Sequence, residues 1–158
     1  LRLGARIERL VLIGASPGLA DAAERAARRA ADEALADEIE GSSIEQFAIS
    51  WARTPVLAGQ PPEVADAVHA DRLRNAPAGL ARALRGLGTG ALPSLWDRLG
   101  DVTMPVALVV GERDEKFRVI AAQMASALPD AELVLVPGAG HAVHLEAPGA
   151  VVAPIRGR

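Results

Sequence analysis

Residues 106–114 read VALVVGERD, a continuous apolar run that ends in a glycine and three charged residues. A short run that is rich in valine and apolar at every position is typical of a strand covered on both faces, as in a parallel sheet. Two further runs share this character, and each also ends at a glycine or a proline: LVLI at 10–13 and LVLV at 133–136. The sequence therefore predicts three parallel strands and an α/β fold.

A helix is predicted between the second and third of these strands. Apolar residues recur at helical spacing from Phe117 through Ile120 and Met124 to Leu128, and Pro129 ends the pattern. Strand, helix and strand together form a β-α-β unit, whose crossover is expected to be right-handed.

The middle of the chain is rich in alanine and arginine and contains no convincing strand. A helical block inserted between strands of one sheet is expected to lie above that sheet as a cap. The predicted helices cover 19–40, a segment through Trp51 that starts with a capping box of Ser43 and Gln46, Pro62 to about Arg74, and Ala78 to Leu87. The predicted organisation is a core strand and loop at 1–18, a helical cap at 19–92 and a C-terminal core at 93–158.

The composition excludes several classes of function. Half of the 158 residues are hydrophobic, 23% are charged and the net charge is −3, which indicates a soluble globular protein without a basic surface for nucleic acid. The absence of cysteine excludes disulfides and thiolate chemistry. The apolar runs are too short to span a membrane and no signal peptide is recognised, so a cytoplasmic location is expected. The first residue, Leu1, is not methionine, which suggests a missing upstream segment.

Two of the predicted strands end in residues that could do chemistry together. The second strand leads into Asp114, and the third leads through a glycine-rich turn into His141. Ligands of open parallel sheets bind beyond the carboxyl ends of the strands. A carboxylate there would hold the imidazole in one tautomer and leave the other ring nitrogen free as a base. Separately, Asp114 could be a helix N-cap and His141 a loop histidine, but the pair at consecutive strand ends favours catalysis.

A nucleophile is harder to assign. Residues 14–18, GASPG, match G-x-S-x-G and give the chain order Ser, Asp, His that α/β-hydrolases use. The backbone N–H after the nucleophile forms half of the oxyanion hole in such a motif, but Pro17 has no N–H and also disfavours a helical conformation at Ser16. We therefore predict that Ser16 lies in a strand-end loop or caps the next helix, and that the chain holds no credible nucleophile.

Two other polar groups have simple structural explanations. His141, His144 and Glu146 lack the H-E-x-x-H spacing of a metal centre, so no metal site is expected. Arg28 precedes Asp32 by four residues, a spacing typical of ion pairs on a solvated helix face.

Five segments of the chain resemble the 2-succinyl-6-hydroxy-2,4-cyclohexadiene-1-carboxylate synthases, the menaquinone-pathway lyases of the α/β-hydrolase superfamily. The resemblance covers nearly the whole chain. Its strand and histidine segments are generic to the superfamily, whereas GERDEKF and two segments of the helical block point to this family. The segments are LVLIGASPGL (10–19), ERAARRAAD (24–32), GLGTGALPSLWDRL (86–99), GERDEKF (111–117) and PGAGHAVHLE (137–146).

The resemblance implies a fold and a set of roles. The chain would be the C-terminal portion of an α/β-hydrolase fold with an inserted helical cap, and the family's serine would lie upstream of LVLIGASPGL. A substrate with several carboxylates needs cations, and guanidinium groups suit it, which reverses the surface interpretation of Arg28. The implied residues are Asp114 and His141 as triad acid and base, Arg28 and Arg74 for the carboxylates, Trp51 in the cap (equally explained as core), and Lys116 as a weaker anion contact.

The expected function is that of a lyase whose substrate is a small polycarboxylate. The complete enzyme would eliminate pyruvate from 2-succinyl-5-enolpyruvyl-6-hydroxy-3-cyclohexene-1-carboxylate, without a cofactor, and this chain would be an incomplete form of it. One alternative is a hydrolase of the same fold that cleaves an ester or a carbon–carbon bond. Another is an inactive fragment or interaction module, since the open edge of a three-strand sheet favours self-association or a missing N-terminal portion.

Overall fold

The described residues contain one parallel sheet. The computed structural model describes residues 7–57 and 59–156. Its strands are β1 (Leu10–Ile13), β2 (Val106–Gly111) and β3 (Ala131–Val136), arranged in the order β1-β2-β3. Both neighbours pair with β2 in the parallel sense, so the three carboxyl ends lie on one edge of the sheet. The α/β class and the three strands expected from the apolar runs are confirmed.

The central strand β2 is buried at every position. Successive side chains of a strand point to opposite faces, so a strand with a packed layer on each side must be apolar throughout. On one face, Leu108 belongs to a cluster that includes Met124 of α5 (Glu115–Ala127). On the other face, Val109 packs in a cluster with Val143. The continuous run of apolar residues therefore has the physical cause that the sequence indicates.

The expectation of burial on both faces is wrong for β3 within the described part of the chain. Leu133 and Leu135 are 44% and 46% exposed, although they belong to the same kind of apolar run. The reason is the position of the strand at the edge of the sheet. Helix α5 packs against β2 through Ala121 and Met124 and leaves the outer row of β3 side chains partly open.

Two helices follow β3. The first, α6, is a single turn over Val143–Glu146, and the second, α7, spans Pro148–Arg156. A closing helix is expected from residue 147 to the end of the chain, weakened by its glycines and by Pro154. The observed helix tolerates Pro154 in its interior, while residues 157 and 158 lie outside the described range. The same holds for the amino-terminal residues on which the absence of a signal peptide is predicted.

The middle of the chain is helical, as the sequence predicts. Its described helices are α1 (Ala22–Glu40), α2 (Ile44–Trp51), α3 (Pro62–Arg72) and α4 (Pro77–Leu87).

Local capping sets where these helices begin. The predicted capping box is present, because the Ser43 hydroxyl accepts from the Gln46 N–H and the Gln46 amide oxygen accepts from the Ser43 N–H. The predicted start of α1 at Leu19 is three residues too early, since Asp21 is the N-cap and its carboxylate accepts from the Glu24 N–H at 2.8 Å.

The chain divides into two compact units. One contains the described parts of Leu1–Pro17 and Trp96–Arg158, and the other, the helical unit, is Gly18–Leu95. The first unit holds the sheet, its two apolar clusters and helices α5 to α7. The helical unit has its own small core, formed where α1 and α4 pack together through Ala36, Ile39 and Ala81. None of the helices described is long and apolar enough to cross a membrane.

Replacement of Leu108 by alanine should lower the free energy of unfolding by about 2–5 kcal/mol, because it opens a cavity in a fully packed layer. Leu133→Ala is the matched control on the neighbouring strand, and we expect it to cost about 1 kcal/mol or less because its side chain is already half in water. Urea unfolding of the two variants measures both values. Equal losses would contradict the assignment of β2 as the buried centre and β3 as the open edge.

Candidate active site

The loop that follows β2 presents a buried carboxylate. Asp114 is the N-cap of α5, and its Oδ1 accepts from the Phe117 N–H at 3.3 Å. A side chain held by the first turn of a helix keeps few rotamers, so the second carboxylate oxygen has a defined direction. The N-cap interpretation of Asp114 is therefore correct, and it does not exclude a second role for the other oxygen.

The loop that follows β3 is bound directly to the loop that follows β2. The backbone N–H of Glu112 donates to the carbonyl of Val136 at 3.0 Å, and that of Arg113 donates to the carbonyl of Ala139 at 2.9 Å. The Glu112 carboxylate accepts in addition from the Gly138 N–H at 2.8 Å. These bonds extend the pairing of β2 and β3 beyond the strands and set the distance between the two loops.

The two loops bring Asp114 and His141 together. His141 Nδ1 lies 2.6 Å from Asp114 Oδ2, with 6% of the Asp114 side chain exposed and 27% of the His141 side chain. An ionised carboxylate only accepts hydrogen bonds, so in the neutral imidazole Nδ1 carries the proton and Nε2 is the basic atom. The expected proximity of the two side chains is confirmed, and their catalytic role stays a prediction.

Two neighbours hold the imidazole ring in place. The Phe117 ring lies beside it, with 4.4 Å between the ring centroids. Gly14, just past the end of β1, lies close to the ring, and a Cβ at that position would be 3.1 Å from His141 Cε1. Gly14 also has a φ of +52°, which L-residues with side chains rarely adopt. A glycine is thus required here for its backbone and for the space that it leaves to the histidine.

Ser16 does not have the geometry of a nucleophile elbow. In that motif the serine occupies a strained turn that leads directly from a strand into a helix. Here Ser16 is exposed and α1 begins only at Ala22, after the Asp21 cap. None of the non-glycine residues that the structure describes has a positive φ. The structural features at Ser16 match the strand-end loop that Pro17 predicts.

Lys116 belongs to the same unit as the histidine pair. Its ammonium group lies 5.6 Å from the centroid of the Phe117 ring, the ring that contacts His141. His144 is exposed on α6, and within 7–57 and 59–156 no cluster of three or more metal-binding side chains occurs. Lys116 is therefore a predicted substrate contact that lies in the same unit as His141 and touches the same phenylalanine ring.

The predicted arginines lie in the helical unit in different environments. Arg28 Nε bonds Asp32 at 2.7 Å, and Asp32 is buried, so this is not an ordinary surface pair. Arg74 is 79% exposed and pairs with Asp71. Arg72 was not singled out from the sequence, yet it is half-buried, burial lowers its pKa from the usual value, and no described side chain pairs with it. The sequence cannot tell which of these two arginines is better suited to bind an anion, because the difference between them is their burial in the folded chain.

Trp51 ends α2 and stacks on Phe47, with 5.6 Å between the ring centroids. It lines a cavity of about 290 Å³ in the helical unit together with Gln46 and Ser50. The stacking accounts for Trp51 as a packing residue, and its role as a substrate contact stays a prediction.

A parallel sheet that carries a buried acid and a hydrogen-bonded histidine past two adjacent strand ends is typical of the α/β enzymes that use a Ser-His-Asp type of triad. The model of the "Alpha/beta hydrolase family" matches residues 1–155, and the chain belongs to this family. Its homologues are enzymes of the α/β-hydrolase superfamily.

Within the family, the resemblance to the 2-succinyl-6-hydroxy-2,4-cyclohexadiene-1-carboxylate synthases is confirmed. A Bacillus subtilis (strain 168) protein provisionally named as this synthase is 40% identical over 146 residues, which cover 90% of this chain and 53% of that protein. The synthase of Klebsiella pneumoniae (MGH 78578) is 37% identical, with 91% and 55% covered. The structure of MenH from Staphylococcus aureus superposes with a TM-score of 0.91 at 34% identity, over 96% of this chain and 58% of that one.

The chain spans about half the length of the curated relatives that it matches. The match includes the acid and histidine loops and the helical unit, since it covers nine-tenths of this chain. The predicted α/β-hydrolase fold, with parallel strands and flanking helices, is confirmed.

Gly111→Ala should separate the two loops. A Cβ at Gly111 would collide with the carbonyl oxygens of Gly140 and Ala139, which are backbone atoms and cannot swing aside. We expect a loss of about 3 kcal/mol or more in urea unfolding, at the upper end for an overpacked site. Gly100→Ala is the control, since nothing lies within 4 Å of a Cβ there. A Gly111→Ala variant as stable as Gly100→Ala would show that the loops do not depend on this close approach.

Proposed function

We propose that this chain supplies the acid–histidine half of a lyase that eliminates pyruvate from 2-succinyl-5-enolpyruvyl-6-hydroxy-3-cyclohexene-1-carboxylate. The observation that carries the proposal is the 2.6 Å contact between His141 Nδ1 and Asp114 Oδ2. It occurs in a chain that is 37% identical to a protein named as the synthase that forms 2-succinyl-6-hydroxy-2,4-cyclohexadiene-1-carboxylate.

The role of the pair follows from its proton positions. With Nδ1–H donated to Asp114, the free Nε2 of His141 accepts the proton of a serine hydroxyl, and the buried carboxylate stabilises the imidazolium that forms. The serine oxygen then removes a ring proton from the substrate. The electron pair forms a new ring double bond, the existing double bond shifts, and the ring C–O bond to the enolpyruvyl group breaks, which leaves the diene and the enolate of pyruvate. The enolate takes the proton held by the His141 imidazolium and becomes pyruvate, so the serine hydroxyl and the free Nε2 are both restored.

The serine itself is proposed to come from polypeptide beyond this sequence. Ser16 is followed by Pro17, which cannot supply the oxyanion-hole N–H, and its backbone is not that of a strained elbow. The relatives have roughly twice the matched length, which leaves room for another segment to carry the nucleophile.

The cations proposed to bind the substrate carboxylates are Arg28, an arginine at the end of α3, and Lys116. Arg28 is supported by its bond to buried Asp32, which orients the guanidinium. At the end of α3, Arg72 fits the role better than Arg74. An unpaired, half-buried guanidinium gains more from an anionic ligand than one that is exposed and already paired.

The catalytic proposal can be tested in a chimaera in which this chain follows the amino-terminal part of the Bacillus subtilis relative. Replacement of His141 by alanine or Asp114 by asparagine should reduce kcat about 10³–10⁴-fold, because the serine loses its base or the base adopts the wrong tautomer. Pyruvate release, followed with lactate dehydrogenase, measures the loss.

Glu132→Gln, a carboxylate-to-amide change at an exposed position of β3, is the control for that experiment and should leave kcat unchanged. A His141→Ala chimaera with normal turnover would rule out the base. Pyruvate release by the unfused 158-residue chain would show that its own residues suffice and would refute the external serine.

The same chimaera distinguishes the two arginines. Arg72→Ala should lower kcat/KM roughly 10- to 100-fold, the value of a lost charge-assisted hydrogen bond, while Arg74→Ala should change it less than about twofold. Steady-state kinetics with the polycarboxylate substrate gives both numbers, and each variant is the other's control. The reverse ranking would restore Arg74 as the carboxylate contact.

A further inference from the structure

The carboxylate of Glu146, at the end of α6, is buried and points back into the histidine loop. Only 3% of its side chain is exposed. Its Oε2 accepts from the Gly140 N–H at 2.8 Å, and its Oε1 accepts from the Ala142 N–H at 3.2 Å. The two donors are the residues immediately before and after His141. We propose that Glu146 is a positioning residue, which holds the backbone at His141 so that the imidazole meets Asp114.

The geometry explains how a carboxylate could do this. The N–H of Ala142 belongs to the peptide group that follows His141. The N–H of Gly140 belongs to the residue that precedes His141. Binding both to one rigid, planar carboxylate restricts rotation about the backbone bonds of His141 between them. A charged acceptor makes these bonds stronger than bonds between neutral groups. The backbone of His141 is therefore fixed, and with it the direction in which the imidazole side chain projects.

Glu146 also joins the histidine loop to the acid loop. Arg113, which directly precedes Asp114, bonds Glu146 Oε2 at 2.9 Å. The backbone N–H of the same arginine donates to Ala139 in the histidine loop. The carboxylate thus connects α6 and both catalytic loops, and the guanidinium compensates part of the cost of burying its charge.

The position next to His141 argues for more than a helix cap. A glutamate that only stabilised α6 would need to satisfy N–H groups of that helix, but Gly140 precedes α6 by three residues. Gly140 is also shaped to the carboxylate, since a Cβ there would lie 3.0 Å from Glu146 Oε1 and 3.2 Å from Oε2. The loop and the side chain are therefore complementary at the residue before the histidine.

The inference rests on the proposed role of His141 as base, and its test needs no substrate. In the 158-residue chain, ¹⁵N NMR at a pH where the imidazole is neutral should show His141 as the Nδ1–H tautomer. In Glu146→Gln an amide NH₂ faces a backbone N–H, so the loop should shift. We expect the tautomer ratio to move toward that of free imidazole and the Nδ1–H to exchange with water at least about tenfold faster, as for one lost charged hydrogen bond.

Gly140→Ala is a milder variant, which displaces the carboxylate but keeps its charge, and it should change both signals in the same direction. Gly149→Ala, with nothing within 4 Å of the added Cβ, and Glu132→Gln are the controls and should change neither. If Glu146→Gln does not fold by circular dichroism, Gly140→Ala decides. A folded variant of either kind with an unaltered tautomer and exchange rate would reduce Glu146 to a structural acid. Failure of the unsubstituted chimaera to release pyruvate would count against the proposed function alone, since the tautomer and exchange measurements do not depend on turnover.

Discussion

The pairing of β2 with β3, continued into the loops beyond them, is the constraint on which the site depends. Two backbone bonds, from Glu112 to Val136 and from Arg113 to Ala139, carry the parallel ladder past the last strand residues. Gly111 permits this approach, because any side chain at that position would meet the carbonyls of the opposite loop. Asp114 and His141 then meet because each lies a set distance beyond its own strand. The dyad is a consequence of strand pairing, and its precision follows from bonds that involve neither side chain.

Three carboxylates hold the histidine loop and the imidazole ring by hydrogen bonds. Glu112 accepts from Gly138, Glu146 accepts from Gly140 and Ala142, and Asp114 contacts the ring. A tight, glycine-rich turn leaves backbone N–H groups without carbonyl partners, and these groups need another acceptor. Acidic side chains from the neighbouring loop and helix provide it. The turn is thus bound to the neighbouring loop and helix because its own N–H groups lack carbonyl partners within the turn.

In the helical unit, local sequence determines where the helices begin, whereas burial determines which arginines are suited to bind an anion. Ser43 with Gln46 and Asp21 with Glu24 define helix starts through bonds three residues long. Arg72 and Arg74 differ in no property visible in the sequence, yet one is half-buried and the other fully paired and exposed. The selection of residues that could meet an anion therefore belongs to tertiary structure.

Three apolar runs, a capping box and a glycine-rich turn before His141 were enough to predict the strands, the start of α2 and the meeting of Asp114 with His141. Those features depend on residues a few positions apart, or on the rule that parallel strands end on one edge. Tertiary structure alone decided three other features: the exposure of Leu133 and Leu135, the burial of Arg72, and the hydrogen bonds from the histidine loop to Glu146. The Glu112–Gly138 and Arg113–Glu146 contacts join residues 26 and 33 positions apart. No local pattern encodes such a pairing, because it exists only once the sheet has brought its loops together.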